Sequence, residues 1–163
     1  MRKRKTQDTP SERLVLDRFL PYRIAVLARS VSNALGKLYQ STFDISIPEW
    51  RVIAHLAEVQ NCSSGDIVAR TAMDHAKVNR AVTRLTARAL IIAGISEKDR
   101  RVNVLSLSPT GRDVYDKIAP MALSYQNDLI SVLTPEEQEA LTALLIKLQE
   151  RSEHLAHRGS TAE

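Results

Sequence analysis

The sequence is poor in cysteine, which occurs once in 163 residues, and it contains no long apolar run. A single cysteine cannot supply a disulfide framework or a cysteine-based zinc site, and it suits a reducing compartment. The longest apolar stretches fall short of the ~18 residues that a membrane-spanning helix requires. The basic N-terminus is not followed by the apolar segment of a secretory signal. We therefore expect a cytoplasmic protein with no membrane partner.

The sequence also lacks the motifs that mark common catalytic sites. It has no glycine-rich phosphate loop, no nucleophile elbow and no HExxH zinc motif. His154 and His157 have the spacing of helical metal ligands, but incidental surface histidines are the commoner explanation. Cys62 lies next to a predicted helix start, the one feature that would favour a reactive thiol. We expect no catalytic residues, no cofactor and no metal site, and therefore a protein that is not an enzyme.

Glycine is scarce as well, with five residues, and apolar residues recur at spacings of three and four, which together predict a mainly helical chain. Residues 91–95 and 102–107 are instead rich in β-branched and aliphatic residues and flank a polar turn, which predicts a short β-hairpin. Helix starts are predicted at four capping residues, namely Ser46, Ser63, Asp74 and Thr134.

The order of these elements predicts a winged helix-turn-helix, in which three short helices precede a hairpin wing. We place this unit at about residues 46–108, within a single domain at 14–157. Residues 1–13 are expected to form a disordered basic arm, and residues 158–163 a frayed tail.

Long amphipathic helices are predicted on both sides of this unit, at about residues 14–41 and 109–157. The first carries an apolar stripe at steps of three and four, formed by Leu20, Ile24, Leu27, Val31, Leu35 and Leu38. Such a stripe must be covered by another surface. A second copy of the chain is the simplest cover, so we expect these helices to join a two-fold homodimer.

Charge is unevenly distributed along the chain. Four basic residues at positions 2–5 already equal the net charge of +4, and residues 77–101 carry seven basic residues against two acidic ones. Such a cluster predicts a surface that binds a polyanion, with a solvated helix face as the alternative.

The basic cluster centres on the predicted helix that follows Asp74. No acidic residue occurs between positions 75 and 96, so we expect the four cations of this helix, Lys77, Arg80, Arg84 and Arg88, to point outward together without a neutralising partner. Cations displace phosphate counterions, while arginine can read guanine and asparagine can read adenine in the major groove. We therefore predict contacts with double-stranded DNA from His75, Lys77, Asn79, Arg80, Thr83, Arg84 and Arg88.

The hairpin turn adds a second predicted contact with DNA, formed by Asp99, Arg100 and Arg101. The aspartate can pair with one arginine and fix the turn, and an arginine at a wing tip can enter a minor groove. The alternative is a winged-helix module that docks an acidic protein without binding DNA. A docking surface should present large apolar anchors, whereas the predicted helix presents Lys, Arg, Asn and Thr.

Residues 97–111, with the sequence EKDRRVNVLSLSPTG, resemble the wing signature of the MarR (multiple antibiotic resistance regulator) family. Residues 48–52 and 80–90 are similar to the second helix and the recognition helix of that family, and the resemblance covers nearly the whole chain. It implies a homodimer joined through its terminal helices. It also implies that Asp99 orients Arg101 and that Arg101 enters the minor groove.

Two positions depart from the family pattern. Ala89 stands where members usually have a glycine after the recognition helix, and Ser108 replaces the usual threonine. A left-handed alanine would cost about 1 kcal/mol, so we expect the helix to end differently here. The serine is expected to be harmless.

The resemblance also implies a small-molecule effector. Family members often bind small aromatic acids or related compounds between the dimer-forming helices and the DNA-binding unit. An aromatic wall with cations suits a planar carboxylate, and the candidate residues are Arg23, Arg29, Trp50, Arg51 and His55. We predict a ligand-responsive repressor that binds an inverted-repeat operator as a dimer and is released by an aromatic acid or thioester.

Overall fold

The computed structural model describes residues 13–71, 73–95 and 103–160. The elements within these ranges are, in chain order, a 3₁₀ turn (Leu16–Arg18), α1 (Leu20–Phe43), α2 (Ile47–Glu58), α3 (Ser64–Arg70), α4 (His75–Ala87), β1 (Ile91–Ile95), β2 (Asn103–Leu107), α5 (Pro109–Ile130) and α6 (Pro135–Ser160). The prediction of a mainly helical chain with a small hairpin is confirmed.

The chain forms two compact units, the first ending at Gly111 and the second beginning at Arg112. Most of the predicted basic arm, residues 1–12, lies outside the described ranges. α6 remains helical as far as Ser160, beyond residue 158, where the frayed tail was expected to begin.

Side-chain caps fix the starts of four helices. Asp74 accepts a hydrogen bond from the backbone N–H of Lys77 and caps α4. The other three starts carry capping boxes, in which a hydroxyl and a carboxylate satisfy each other's backbone N–H groups. These pairs are Ser46–Glu49, Ser63–Asp66 and Thr134–Glu137. All four predicted helix starts are therefore confirmed.

The core of the first unit lies where α2, α3, α4 and the hairpin meet. α1 adds Tyr39, whose ring packs against that of Trp50 with centroids 5.6 Å apart. Each fully buried aliphatic side chain stabilises the fold by about 1.5–3 kcal/mol. The core members that fix α4 in place are Val52, Ile53, Leu56, Ile67, Val78, Leu85, Ile91 and Leu105.

The hairpin is antiparallel and tied to the helices at its base. Ile91 pairs with Leu107, and the N–H of Leu105 donates to the carbonyl oxygen of Cys62 at 2.8 Å, which joins the hairpin to the turn between α2 and α3. The strands confirm the predicted hairpin. Its turn, residues 96–102, lies outside the described ranges, and with it the predicted DNA contacts Asp99, Arg100 and Arg101.

α4 ends in a Schellman motif at Ala89. The N–H of Ala89 donates to the carbonyl of Thr86, and the N–H of Leu90 donates to the carbonyl of Leu85, both at 2.9 Å. The motif needs a left-handed residue, and Ala89 has a φ of 54°. The expectation that alanine makes this helix end differently is therefore wrong. The buried side chains of Leu85 and Leu90 hold the usual ending despite the strain on the alanine.

Replacing Ala89 by glycine is expected to stabilise the protein. Glycine adopts positive φ without a Cβ clash, so the free energy of unfolding should rise by about 0.5–1 kcal/mol in chemical denaturation. Ala87→Gly is the matched control, because Ala87 has helical backbone and glycine there should lower the free energy of unfolding by a similar amount. Equal effects of the two substitutions would contradict strain at Ala89.

Apolar side chains are exposed on both long terminal helices. Leu20, Ile24 and Leu27 of α1 are each more than 40% exposed. α6 exposes a longer row, formed by Leu141, Leu144, Leu145, Leu148 and Leu155. Exposed apolar rows of this kind mark surfaces that another molecule covers. Across the described ranges, no helix combines the length and hydropathy needed to cross a bilayer.

Candidate nucleic-acid interface

α4 presents its polar side chains on the side opposite its buried residues. Because a helix completes a turn every 3.6 residues, Asn79, Arg80 and Thr83 point away from the core. They are exposed, as is His75 in the first turn. The residues that face the core are Val78, Ala81 and Leu85. The outward face therefore offers amide, guanidinium and hydroxyl groups that can reach base edges.

Three of the four cations predicted to be unneutralised have acidic partners, so that prediction is wrong. It considered only acids within the helix, whereas the partners lie just before α4, just after α1 and in the first turn of α2. The charged atoms are 2.8 Å apart in Lys77–Asp74, 3.2 Å apart in Arg84–Glu49 and 3.8 Å apart in Arg88–Asp44.

Arg80 is the exception among the four. Its guanidinium is exposed and has neither an ion pair nor a hydrogen bond with any of the described residues. It borders an open pocket of about 280 Å³ between α4 and the start of α2, together with Lys77 and Arg84. Glu49 also lines the pocket and pairs with Arg84, but Arg80 breaks no ion pair or hydrogen bond with a described residue when it meets an anion.

Arg84 forms an ion pair with the buried carboxylate of Glu49 in α2. Its Nε lies 3.2 Å from Oε1 of Glu49, and its side chain remains 62% exposed while that of Glu49 is 1% exposed. The other carboxylate oxygen, Oε2, accepts hydrogen bonds from the backbone N–H and the hydroxyl of Ser46. The guanidinium of Arg84 is thus held near Glu49 by charge attraction, while most of its side chain remains exposed to solvent.

Arg88 is engaged with the end of α1. Its two terminal nitrogens donate to the carbonyl oxygens of Phe43 and Asp44. These carbonyls lie at the C-terminus of a helix, where unpaired acceptors and the helix dipole favour a cation. Arg88 therefore links the C-terminal end of α4 to the end of α1. These hydrogen bonds leave few of the N–H donors of Arg88 available for DNA.

Two ionisable side chains beside these helices have pKa values that are shifted in opposite directions. Hydrogen bonds from the side chain and then the backbone N–H of Lys77 lower the pKa of Asp74 and keep it ionised. Burial raises the pKa of the Cys62 thiol, and the carboxylate of Asp66 raises it further. A thiolate at Cys62 is therefore disfavoured, which argues against the reactive-thiol alternative.

The structure brings three of the five predicted ligand residues together. Trp50, Arg51 and His55 line an open groove of about 360 Å³ along α2. Arg70 and Thr71, at the end of α3, also line this groove. Sequence reasoning missed these two residues, because only the packing of α3 against α2 brings them to the groove.

One residue that lines the groove has a buried polar atom without a hydrogen-bond partner among the described residues. Nε2 of His55 has no hydrogen bond to any residue that the structure describes, whereas Arg51 donates to the hydroxyl of Ser32 at 3.3 Å. Arg23 and Arg29 are exposed on α1 and do not line the groove. The described residues contain no cluster of three or more His, Cys, Asp or Glu side chains suited to a metal ion.

A sequence-family model described as the MarR family matches residues 43–102, from the end of α1 into the hairpin. Among curated proteins, the HTH-type transcriptional regulator BilQ of Clostridium symbiosum is 26% identical over 101 residues, which cover 62% of this chain and 70% of that protein.

Solved structures give longer matches. The MarR/EmrR family transcriptional regulator from Acinetobacter sp. ADP1 matches 86% of this chain and 99% of its own, with 26% identity and a TM-score of 0.81. BpsR of Bordetella bronchiseptica, whose DNA binding is regulated by 6-hydroxynicotinic acid, matches 77% of this chain and 92% of its own, with 28% identity and a TM-score of 0.65. The matched proteins are transcriptional regulators, so the expectation that the chain is not an enzyme is confirmed.

Proposed function

We propose that the chain is a repressor of the MarR family of winged helix-turn-helix transcriptional regulators, to which it is similar in sequence and fold, and that it binds an inverted-repeat operator as a homodimer. It acts in the cytoplasm, and a small aromatic acid or thioester releases it from DNA. Its DNA-reading element is α4, which enters the major groove with its N-terminal half.

The outward face of α4 carries this proposal. Asn79, Arg80 and Thr83 are exposed there, with Arg84 on the adjoining flank, and these groups have the donors that base edges require. Lys77 adds a cation for the phosphate backbone, whose contacts fix the register. The face presents no large apolar side chain of the kind that anchors a protein partner, so DNA suits it better than an acidic protein does.

The dimer is supported by the exposed apolar rows of α1 and α6. A second copy of the chain would bury both rows, and two-fold symmetry would present two α4 helices to successive major grooves of an inverted repeat. In this assembly the wing residues Asp99, Arg100 and Arg101 contact the flanking minor grooves.

The effector is supported by the groove along α2. His55 and Arg70 supply hydrogen-bond and charge partners for a carboxylate, and Trp50 supplies an aromatic edge. The ligand of BpsR, 6-hydroxynicotinic acid, has this chemistry, a planar ring with one carboxylate. A ligand that binds only one arrangement of the dimer shifts the population away from the DNA-competent form.

A binding titration on the DNA upstream of the gene, at several salt concentrations, tests the proposal. A dimer with at least six phosphate contacts should lose about 10³-fold in affinity between 50 and 200 mM salt. The same titration with a panel of aromatic acids and thioesters should show release by at least one of them. A flat salt dependence, or a footprint that lacks two-fold symmetry, would contradict the operator proposal and favour the protein-docking alternative.

A further inference from the structure

Glu49 is buried more deeply than its capping role requires. The acid of a capping box needs one oxygen to accept the N-cap N–H, and in α3 the equivalent Asp66 does so while fully exposed. Glu49 caps α2 in the same way through Oε2, yet it is 0% exposed and its Oε1 accepts no hydrogen bond from the described residues. Burial of a carboxylate is unfavourable unless a cation compensates it.

The compensating cation is Arg84 of α4. Its Nε lies 3.2 Å from Oε1 of Glu49 in an ion pair that lacks hydrogen-bond geometry, and its guanidinium forms no hydrogen bond with any described residue. A guanidinium is a rigid plane with five N–H groups, so an ion pair that holds its Nε side near Glu49 leaves the opposite fork of terminal nitrogens available to a ligand. Arginine otherwise loses rotamer freedom when it binds, and a pre-oriented fork reduces that loss.

We propose that Glu49 is a positioning residue for DNA recognition, which orients the fork of Arg84 toward a base edge. The inference rests on the proposed binding of α4 to an operator. In this arrangement Ser46 holds Oε2 of Glu49 and Glu49 holds Arg84, so the capping box of α2 also serves the recognition helix. Because the buried carboxylate subtracts positive charge from the interface, it improves discrimination between sequences more than total affinity.

A double-mutant cycle tests this coupling. Four proteins are compared: the unmodified chain, Glu49→Gln, Arg84→Ala and the double variant, each titrated with operator and with unrelated DNA of the same length. Glutamine retains the oxygen that caps Ser46. We expect Glu49→Gln to weaken operator binding about fivefold to tenfold and to leave binding of unrelated DNA unchanged or tighter. In the Arg84→Ala background the same substitution should have no effect on the ratio of the two affinities.

Asp66→Asn is the matched control, because it changes the exposed acid of the α3 capping box and should leave the affinity ratio unchanged. Arg84→Lys adds a test that does not disturb the buried position, since lysine keeps the charge but has no fork. It should lose operator discrimination while it retains binding of unrelated DNA. This second variant decides the outcome where Glu49→Gln fails to fold.

Three results would overturn the inference: an additive cycle, tighter binding of both DNAs by Glu49→Gln in equal measure, or an unchanged affinity ratio in Arg84→Lys. Each of these results presupposes that the unmodified chain binds the operator more tightly than unrelated DNA. A chain with no such discrimination would instead contradict the proposed function itself.

Discussion

Replacing Arg80 by alanine should weaken operator binding by about 1–3 kcal/mol, which corresponds to roughly 5- to 150-fold. Arg80 lies on the outward face of α4 and forms no ion pair or hydrogen bond with the described residues. Its guanidinium therefore breaks no ion pair or hydrogen bond with a described residue when it binds DNA. Fluorescence anisotropy with operator and unrelated DNA measures the effect, and the loss should be larger on the operator because a base contact carries sequence information.

Arg88→Ala is the matched control for this prediction, because it removes the same side chain two turns further along. The donors of Arg88 are taken by the carbonyls of Phe43 and Asp44. Its loss should lower the free energy of unfolding by about 1.5–3 kcal/mol and leave the operator affinity of the folded protein unchanged. Both variants must sediment as the unmodified chain does for the comparison. Full affinity in Arg80→Ala with lost affinity in Arg88→Ala would reverse the assignment of the two faces of α4.

Local signals predicted the helix starts and the hairpin well. A capping box such as Ser63–Asp66 spans four residues, so its geometry follows from the sequence of one turn. The hairpin strands were equally visible, because β-branched residues cluster around a polar turn. Ala89 was misjudged for a related reason: the strain of a left-handed alanine is local, but the burial of Leu85 and Leu90 that outweighs it is tertiary.

The charge partners of α4 could not be predicted in this way. Asp74 was visible in the sequence as a cap, yet its ion pair with Lys77 was not anticipated. Glu49 precedes Arg84 by 35 positions, and only the packing of α2 against α4 brings them together. The groove along α2 shows the same limit, because the family resemblance suggested His55 as a ligand residue but gave no sign of Arg70.

One methyl group added in the first turn of α5 should strongly lower the stability of the protein. A Cβ on Gly111 would overlap the carbonyl oxygen and carbon of Leu90, which are backbone atoms and cannot rotate away. Ser108 ties the two segments together, since its N–H donates to that same carbonyl and its hydroxyl bonds Ala89 and Gly111. The close approach alone demands glycine here, because the φ of Gly111 is not positive.

Gly111→Ala should therefore lower the free energy of unfolding by about 3 kcal/mol or more, measured by urea denaturation, because the backbone of β1 or α5 must move. Gly65→Ala is the matched control within α3. The nearest atom to a Cβ there is the hydroxyl oxygen of Ser63 at 3.5 Å, an ordinary contact, and alanine favours a helix by about 1 kcal/mol over glycine. The two substitutions should thus change stability in opposite directions. A Gly111→Ala protein as stable as the parent would show that α5 does not begin against the carbonyl of Leu90.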